Sequence, residues 1–171
     1  MKKIKYCRYC GMSHSVYSKV ECPKPDLIVK LLTADPNNQL KEVENMFLVD
    51  DRMYISGAIN LYEFDHAEKP LFQINAWVSF SQEEFLSKIE AFKNESTIIL
   101  NSQLENQIPF FPNSLGLLVE SYLQIDYEYA VIKIISESDL KSFQNDFSSE
   151  RLELLMHDLS TITENKESLI R

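Results

Sequence analysis

Glycine is almost missing from this chain: three occur in 171 residues, Gly11, Gly57 and Gly116. A loop that cradles phosphate needs several glycines close together, so P-loop and dinucleotide-binding fingerprints are excluded. Cysteine is scarce and odd in number, with Cys7, Cys10 and Cys22. No closed set of internal disulfides is possible, which points to the reducing cytoplasm. No apolar run approaches the roughly 20 residues that span a bilayer. The charged start, Met1-Lys2-Lys3-Ile4-Lys5, leads into no apolar segment, so no secretory signal is expected. Gly-x-Ser-x-Gly, His-Glu-x2-His and any convergent triad are absent as well.

What is present is an ordinary globular balance, 44% hydrophobic and 25% charged residues, in a chain long enough to bury a core. Charge is uneven. Residues 1–30 hold seven Lys/Arg against two Asp/Glu, and residues 31–171 hold ten against twenty-four. The second stretch therefore carries −14 of the net −9, offset by +5 at the N-terminus. So acidic a body repels phosphate backbones, so no nucleic-acid partner is expected; without a spanning run no membrane is expected either, while an unknown protein partner fits. The basic N-terminus either contacts an acidic partner or, more plainly, offsets the thiolates of a metal site and touches the protein's own acidic body. A single domain over 1–171 is expected, with a distinct segment at 1–22 and a body at 23–171.

The patterning predicts α+β architecture. Residues 25–34 suit a short helix, opened by Pro25 and Asp26. Residues 44–49 read as a strand with a turn at Asp50-Asp51. Met53, Ile55, Gly57, Ile59 and Leu61 alternate with Tyr54, Ser56, Ala58, Asn60 and Tyr62, and Phe72, Ile74, Ala76, Val78 and Phe80 alternate with Gln73, Asn75, Trp77 and Ser79. Both are strands by their period of two, and a short loop between them requires antiparallel pairing. Ser81-Gln82-Glu83-Glu84 is a capping box for a helix over 82–93, whose face is Phe85, Ile89 and Phe92. Residues 97–101 suit a short strand, and 115–125 with 128–136 a second antiparallel hairpin. The latter strand, apolar on both faces, belongs in the middle of the sheet. Ser136-x2-Asp139 opens a helical segment, and a last helix covers 149–164. The expected fold is an antiparallel sheet with helices packed mainly on one face, preceded by a zinc-knuckle-like segment.

That segment carries the ligand-type residues Cys7, Cys10, His14 and Cys22. Two cysteines separated by two residues can hold one tetrahedral zinc from a tight turn. Gly11 directly after Cys10 allows positive φ, so that backbone amides turn toward the sulfurs. His14 is within reach as a third ligand, and Cys22 completes a Cys3His set. Four protein ligands close the coordination sphere, which makes such a zinc structural. Three reduced thiols with a surface histidine is the plain alternative. A redox Cys-x2-Cys is a third, although the βαβ context of that motif does not follow here.

Cys7-Arg8-Tyr9-Cys10-Gly11-Met12-Ser13-His14 is followed by Tyr54-Ile55-Ser56-Gly57 and Asn75-Ala76-Trp77-Val78-Ser79-Phe80-Ser81. Pro109-Phe110-Phe111-Pro112 with Leu115, and Leu140-x3-Gln144, complete the set. In this order the elements resemble a bacterial family of small proteins catalogued as a domain of unknown function, over nearly the whole chain. The resemblance implies no activity. It implies that Cys7, Cys10, Gly11 and His14 match the family's N-terminal pattern. It also implies a further cysteine near the strand around Phe47. This chain is apolar there, so either Cys22 stands in for it or the ligand set is incomplete.

Other candidates have plain explanations. Trp77 faces away from the apolar row of its strand, and floors a binding surface beside Tyr54 and Tyr62 or else packs under a helix. Asp50-Asp51 and Glu83-Glu84 suit a turn and a helix start. His66 and His157 show no partner of catalytic type in sequence. The aromatic loop 108–112 is a contact site or a packed connection. The expected function is a non-enzymatic binding or interaction protein with a structural zinc. The alternative is an enzyme with a site on the sheet face near Trp77.

Overall fold

A computed structural model describes residues 4–6, 11, 13–15, 19–34, 41–43, 46–62, 70–91, 97–124, 130–145, 148 and 150–158. At the N-terminus β1 (Ile4–Tyr6) and β2 (Ser13–Ser15) pair antiparallel as a separate two-stranded sheet. The second sheet has eight strands: β3 (Lys19–Glu21), β4 (Lys41–Val43), β5 (Met46–Val49), β6 (Arg52–Leu61), β7 (Phe72–Ser81), β8 (Thr97–Leu104), β9 (Leu118–Gln124) and β10 (Ala130–Ile134). The described helices are α1 (Asp26–Ala34), α2 (Gln82–Ala91), α3 (Asp139–Asn145) and α4 (150–158). None is long and apolar enough to cross a membrane.

β6 and β7 form the hairpin that their alternation predicts, antiparallel from Arg52↔Ser81 to Leu61↔Phe72. β9 and β10 also pair antiparallel, Val119↔Ile134 to Leu123↔Ala130, as expected. The turn anticipated at Asp126 lies outside the described residues. The expected open sheet, however, closes on itself. β7 passes to β8 through Val78↔Leu104 and Ser79↔Gln103, β8 to β9, β9 to β10, and β10 returns to β6 through Ala130↔Gly57 and Val131↔Ala58. This last pairing is parallel, and parity requires it. In five strands laid antiparallel in sequence order, the fifth runs the same way as the first. The result is a five-stranded barrel, which leaves β6 and β10 no free edge where they meet.

Strand length explains what is attached outside. β6 and β7 have ten residues each, more than the barrel uses. The surplus of β6, Arg52–Ile55, pairs with β5, which in turn holds β4. The surplus of β7, Gln73–Asn75, holds β3 in parallel.

The two apolar rows point into the barrel. Ile55, Ile59, Leu61, Phe72, Ile74, Ala76, Val78 and Phe80 all belong to one core with Leu100, Leu123 and Ile132. The helices meet the barrel at different strands, α2 at β7 and β8 and α3 at β6 and β10. α2 sets Phe85 against Phe80 with centroids 5.7 Å apart, and Ile89 is half-buried beside it; Phe92 lies outside the described residues. α3 contributes Leu140 and α4 Leu155 and Met156 to the same core. α1 covers the opposite, outer surface of β6 and β7, where Ile28, Phe47, Val49, Tyr54 and Trp77 make a second apolar cluster.

Helix starts differ in detail from expectation. The Ser81 hydroxyl accepts from the Glu84 amide at 3.5 Å, a long contact, and the Glu84 carboxylate turns to β8 instead of closing the box. Ser138 and not Ser136 caps α3, accepting from the Lys141 amide at 3.1 Å, while the Ser136 hydroxyl accepts the Leu118 amide at 2.9 Å.

Candidate functional site

Every residue of Trp77-Val78-Ser79-Phe80-Ser81 has an assignment in the fold. Val78 and Phe80 fill the barrel. Ser81 caps α2. Trp77 packs outward against Phe47, ring centroids 5.7 Å apart, and its amide donates to the Asn106 Oδ1 at 2.6 Å. Asn106 Nδ2 in turn donates to the Pro23 carbonyl at 2.9 Å. One buried amide thereby ties β7 to the chain just after β3. Trp77 lies under a helix beside Tyr54, with Tyr62 exposed elsewhere.

Ser79 is fully buried and sits at the centre of a polar cluster. Its hydroxyl accepts from Arg52 Nη2 and donates to Glu105 Oε1. Arg52 Nη2 also donates to Gln103 Oε1 at 3.3 Å and lies 3.9 Å from Glu105 Oε1. A hydroxyl between a carboxylate and a guanidinium has parts of a nucleophile's setting. Here it is closed to solvent, and its one proton is held by Glu105, so the cluster ties β6, β7 and β8 together. Burial raises the pKa of the neighbouring Tyr54, the charge of Glu105 adds to this, and Arg52 opposes it.

Side chains also bond to backbone where strands part. β8 pairs with β7 only at its last two positions. Further back, Glu84 Oε1 accepts from the amide and the side chain of Asn101, both at 3.1 Å, and Lys88 Nζ donates to the Ile99 carbonyl. Glu84 and Lys88 are themselves 2.9 Å apart. Burial would raise the Glu84 pKa, but the bonds from Lys88 and Asn101 outweigh it and the net shift is downward. β10 leaves β6 after Val131. There Gln144 donates to the Ile132 carbonyl and accepts from the Ile134 amide, both at 2.9 Å, as a neighbouring strand would.

On the outer surface a depression of about 420 Å3 runs from Arg52 past Ser81, Asn101 and Gln103 to Leu118 and Ile135. A second, of about 490 Å3, is lined by Asp51, Gln82, Glu83, Leu86 and Glu90.

Of the residues singled out as metal ligands, Cys7 and Cys10 lie outside the described residues. They fall in the connection between β1 and β2, whose register is Tyr6↔Ser13. Gly11 in that connection has φ +73°, as a tight turn requires. His14 is on β2 opposite Lys5. Cys22 is buried against the barrel core, its amide donating to the Asn75 carbonyl at 2.8 Å and its thiol pushed up to about 11 by burial. Among the described residues no group of three or more His, Cys, Asp or Glu is placed to hold a metal. Asp50 takes φ +53° in its turn, and His66 lies outside the described residues. In the aromatic loop Phe111 is buried edge-on to Phe143, centroids 5.2 Å apart, so that loop is packed.

Arg52, Glu105 and Asn106 were not legible as site residues, since each meets partners 26 or more positions away and no local spacing marks them. Gln144 was marked by its place in the closing motif, though without a role. A family model described as DUF2199, uncharacterised protein conserved in bacteria, matches residues 6–153. No curated protein and no solved structure matches the chain.

Proposed function

The chain belongs to this family of uncharacterised proteins conserved in bacteria, and from that premise we propose that it is a non-enzymatic binding protein of the cytoplasm whose N-terminal hairpin is held by a structural zinc ion. The observation that favours this reading over an enzyme with a site near Trp77 is the filling of the Trp77 face. An enzyme site there needs an open polar floor. Trp77 and Tyr54 are instead 8% and 5% exposed beneath α1 and Phe47.

The zinc reading is supported by the hairpin. Two paired strands present the Cys7-x2-Cys10 connection, and Gly11 takes the backbone conformation that such a turn needs. A side chain at position 11 would be strained there, and its Cβ would stand 3.6 Å from the Tyr6 hydroxyl. Cys7, Cys10 and His14 would hold the ion; Cys22, buried against the barrel core, would have to turn its thiol out of that core to serve as the fourth ligand. The zinc would supply a cross-link and no chemistry, because a closed sphere leaves no position for substrate.

Zinc measured on protein purified without chelator tests this reading. About one ion per chain is expected. Cys10→Ser should lose it and expose residues 1–22 to protease, while the barrel keeps its own unfolding transition. No zinc in protein expressed with zinc available would defeat the site. Full zinc retention in Cys22→Ala would remove Cys22 from the ligand set.

A further inference from the structure

We propose that the depression between Arg52 and Leu118 binds a small amphipathic monocarboxylate, an acid with a tail of a few carbons. The inference rests on the binding reading above and names its ligand class. The depression's volume, about 420 Å3, is within the usual range for a small ligand. One end is apolar and open: Leu118 and Ile135 are 55% and 39% exposed, and the Ile135 amide bonds to the Leu118 carbonyl at 3.0 Å, so the two side chains belong to one patch.

The other end is cationic. Arg52 is half-exposed and lines the depression, and its described contacts all run through Nη2. Its counter-charge, Glu105, is at 3.9 Å, the outer limit of an ion pair. The one carboxylate on the lining, Glu84, is already engaged by Lys88 and Asn101. A guanidinium that reaches Gln103, with Leu118 directly opposite Gln103, puts cation and apolar patch one to two strand spacings apart, about 5–10 Å. A single planar fork matches one carboxylate, and a net charge of −9 disfavours ligands with several negative charges.

The test is titration of the 15N-labelled full chain with hexanoate, beside acetate, which lacks the tail, and hexan-1-ol, which lacks the charge. Hexanoate should shift the amides of Ser81, Gln103, Leu118 and Ile135, and the two controls should bind about ten-fold more weakly or worse. Arg52→Gln should weaken hexanoate by a similar factor. Because Arg52 also holds Ser79, Leu118→Ser is the companion variant: its side chain is exposed, so the fold is retained while the tail loses its wall. Equal binding of hexanoate to either folded variant, equal binding of hexan-1-ol, shifts that map elsewhere, or no shifts at millimolar hexanoate would each overturn the proposal. Zinc content is read on the same samples, so failure of this site is distinguished from failure of the zinc-stapled binding protein.

Discussion

Replacing Gly57 with alanine tests the closure of the barrel directly. Gly57 faces inward on β6 at the point where β10 arrives, opposite Ala130. A Cβ there would stand 2.6 Å from Ile132 Cδ1, 2.7 Å from Ile132 Cγ1 and 3.0 Å from the Ala130 carbonyl oxygen. Carbon atoms rest at about 3.5–4.0 Å, so Ile132 or the β10 backbone must retreat by roughly an ångström. Overpacking of this kind costs about 1–3 kcal/mol. Alanine also restricts the unfolded chain, which returns about 0.4–1 kcal/mol. The net expectation is a loss of about 1–2 kcal/mol, or a thermal midpoint lower by about 2–8 °C for a chain of this size. Far-UV circular dichroism on heating measures it. Ile132→Val, which removes Cδ1, should cost about 0.5–1.5 kcal/mol alone. Combined with Gly57→Ala it should cost less than the sum, because the deleted methyl is one that clashes. In an open sheet the same alanine would be neutral or stabilising. A Gly57→Ala midpoint at or above that of the parent, or strict additivity with Ile132→Val, would refute the close approach of β10 to β6.

Gln144→Ala should destabilise by about 1–3 kcal/mol in a urea titration, since it strands the Ile132 carbonyl and the Ile134 amide; Gln144→Glu, which can accept but not donate when ionised, should fall between. Ser121 is fully buried and its hydroxyl has no partner among the described residues, so Ser121→Ala should be neutral or stabilising by up to about 1 kcal/mol, and a clear loss would refute this. For pH, the Glu84 pKa is depressed below its ordinary 4.5, so its contribution is present above that value and is lost as pH falls through the folded pKa. Glu84→Gln should therefore show a flatter loss of stability below about pH 4.5 than the parent, in denaturant melts taken across the acid range. A gel shift at physiological salt should detect no DNA or RNA affinity tighter than the weak non-specific range, from the −14 of residues 31–171.

Much of the local structure can be read in single residues. Phe72, Ile74, Ala76, Val78 and Phe80 repeat at a period of two, so the strand and its inward face follow from chain geometry alone. Asp50-Asp51 and Ser81 mark a turn and a helix start by backbone preference. Gly11 marks a backbone position for positive φ, and it has one. The partners of those elements are a different matter. Alternation says which face of β6 is buried, but an open sheet under a helix and a closed barrel bury that face equally well.

Closure is decided by pairing between residues more than 70 positions apart, Gly57 with Ala130 and Ala58 with Val131, and no local pattern encodes it. The amides that finish the strand edges, Asn106 and Gln144, look in sequence like any surface Asn or Gln. Arg52, Ser79 and Glu105 come together only because three strands are stacked in one order. The amino-acid sequence by itself determined the strands, their faces, the charge of the body and the positive φ of Gly11, because these depend on neighbours along the chain. Tertiary structure alone decided the barrel, the covering of Trp77 and the depression beside Arg52, because each is a contact between segments that the chain brings together only on folding.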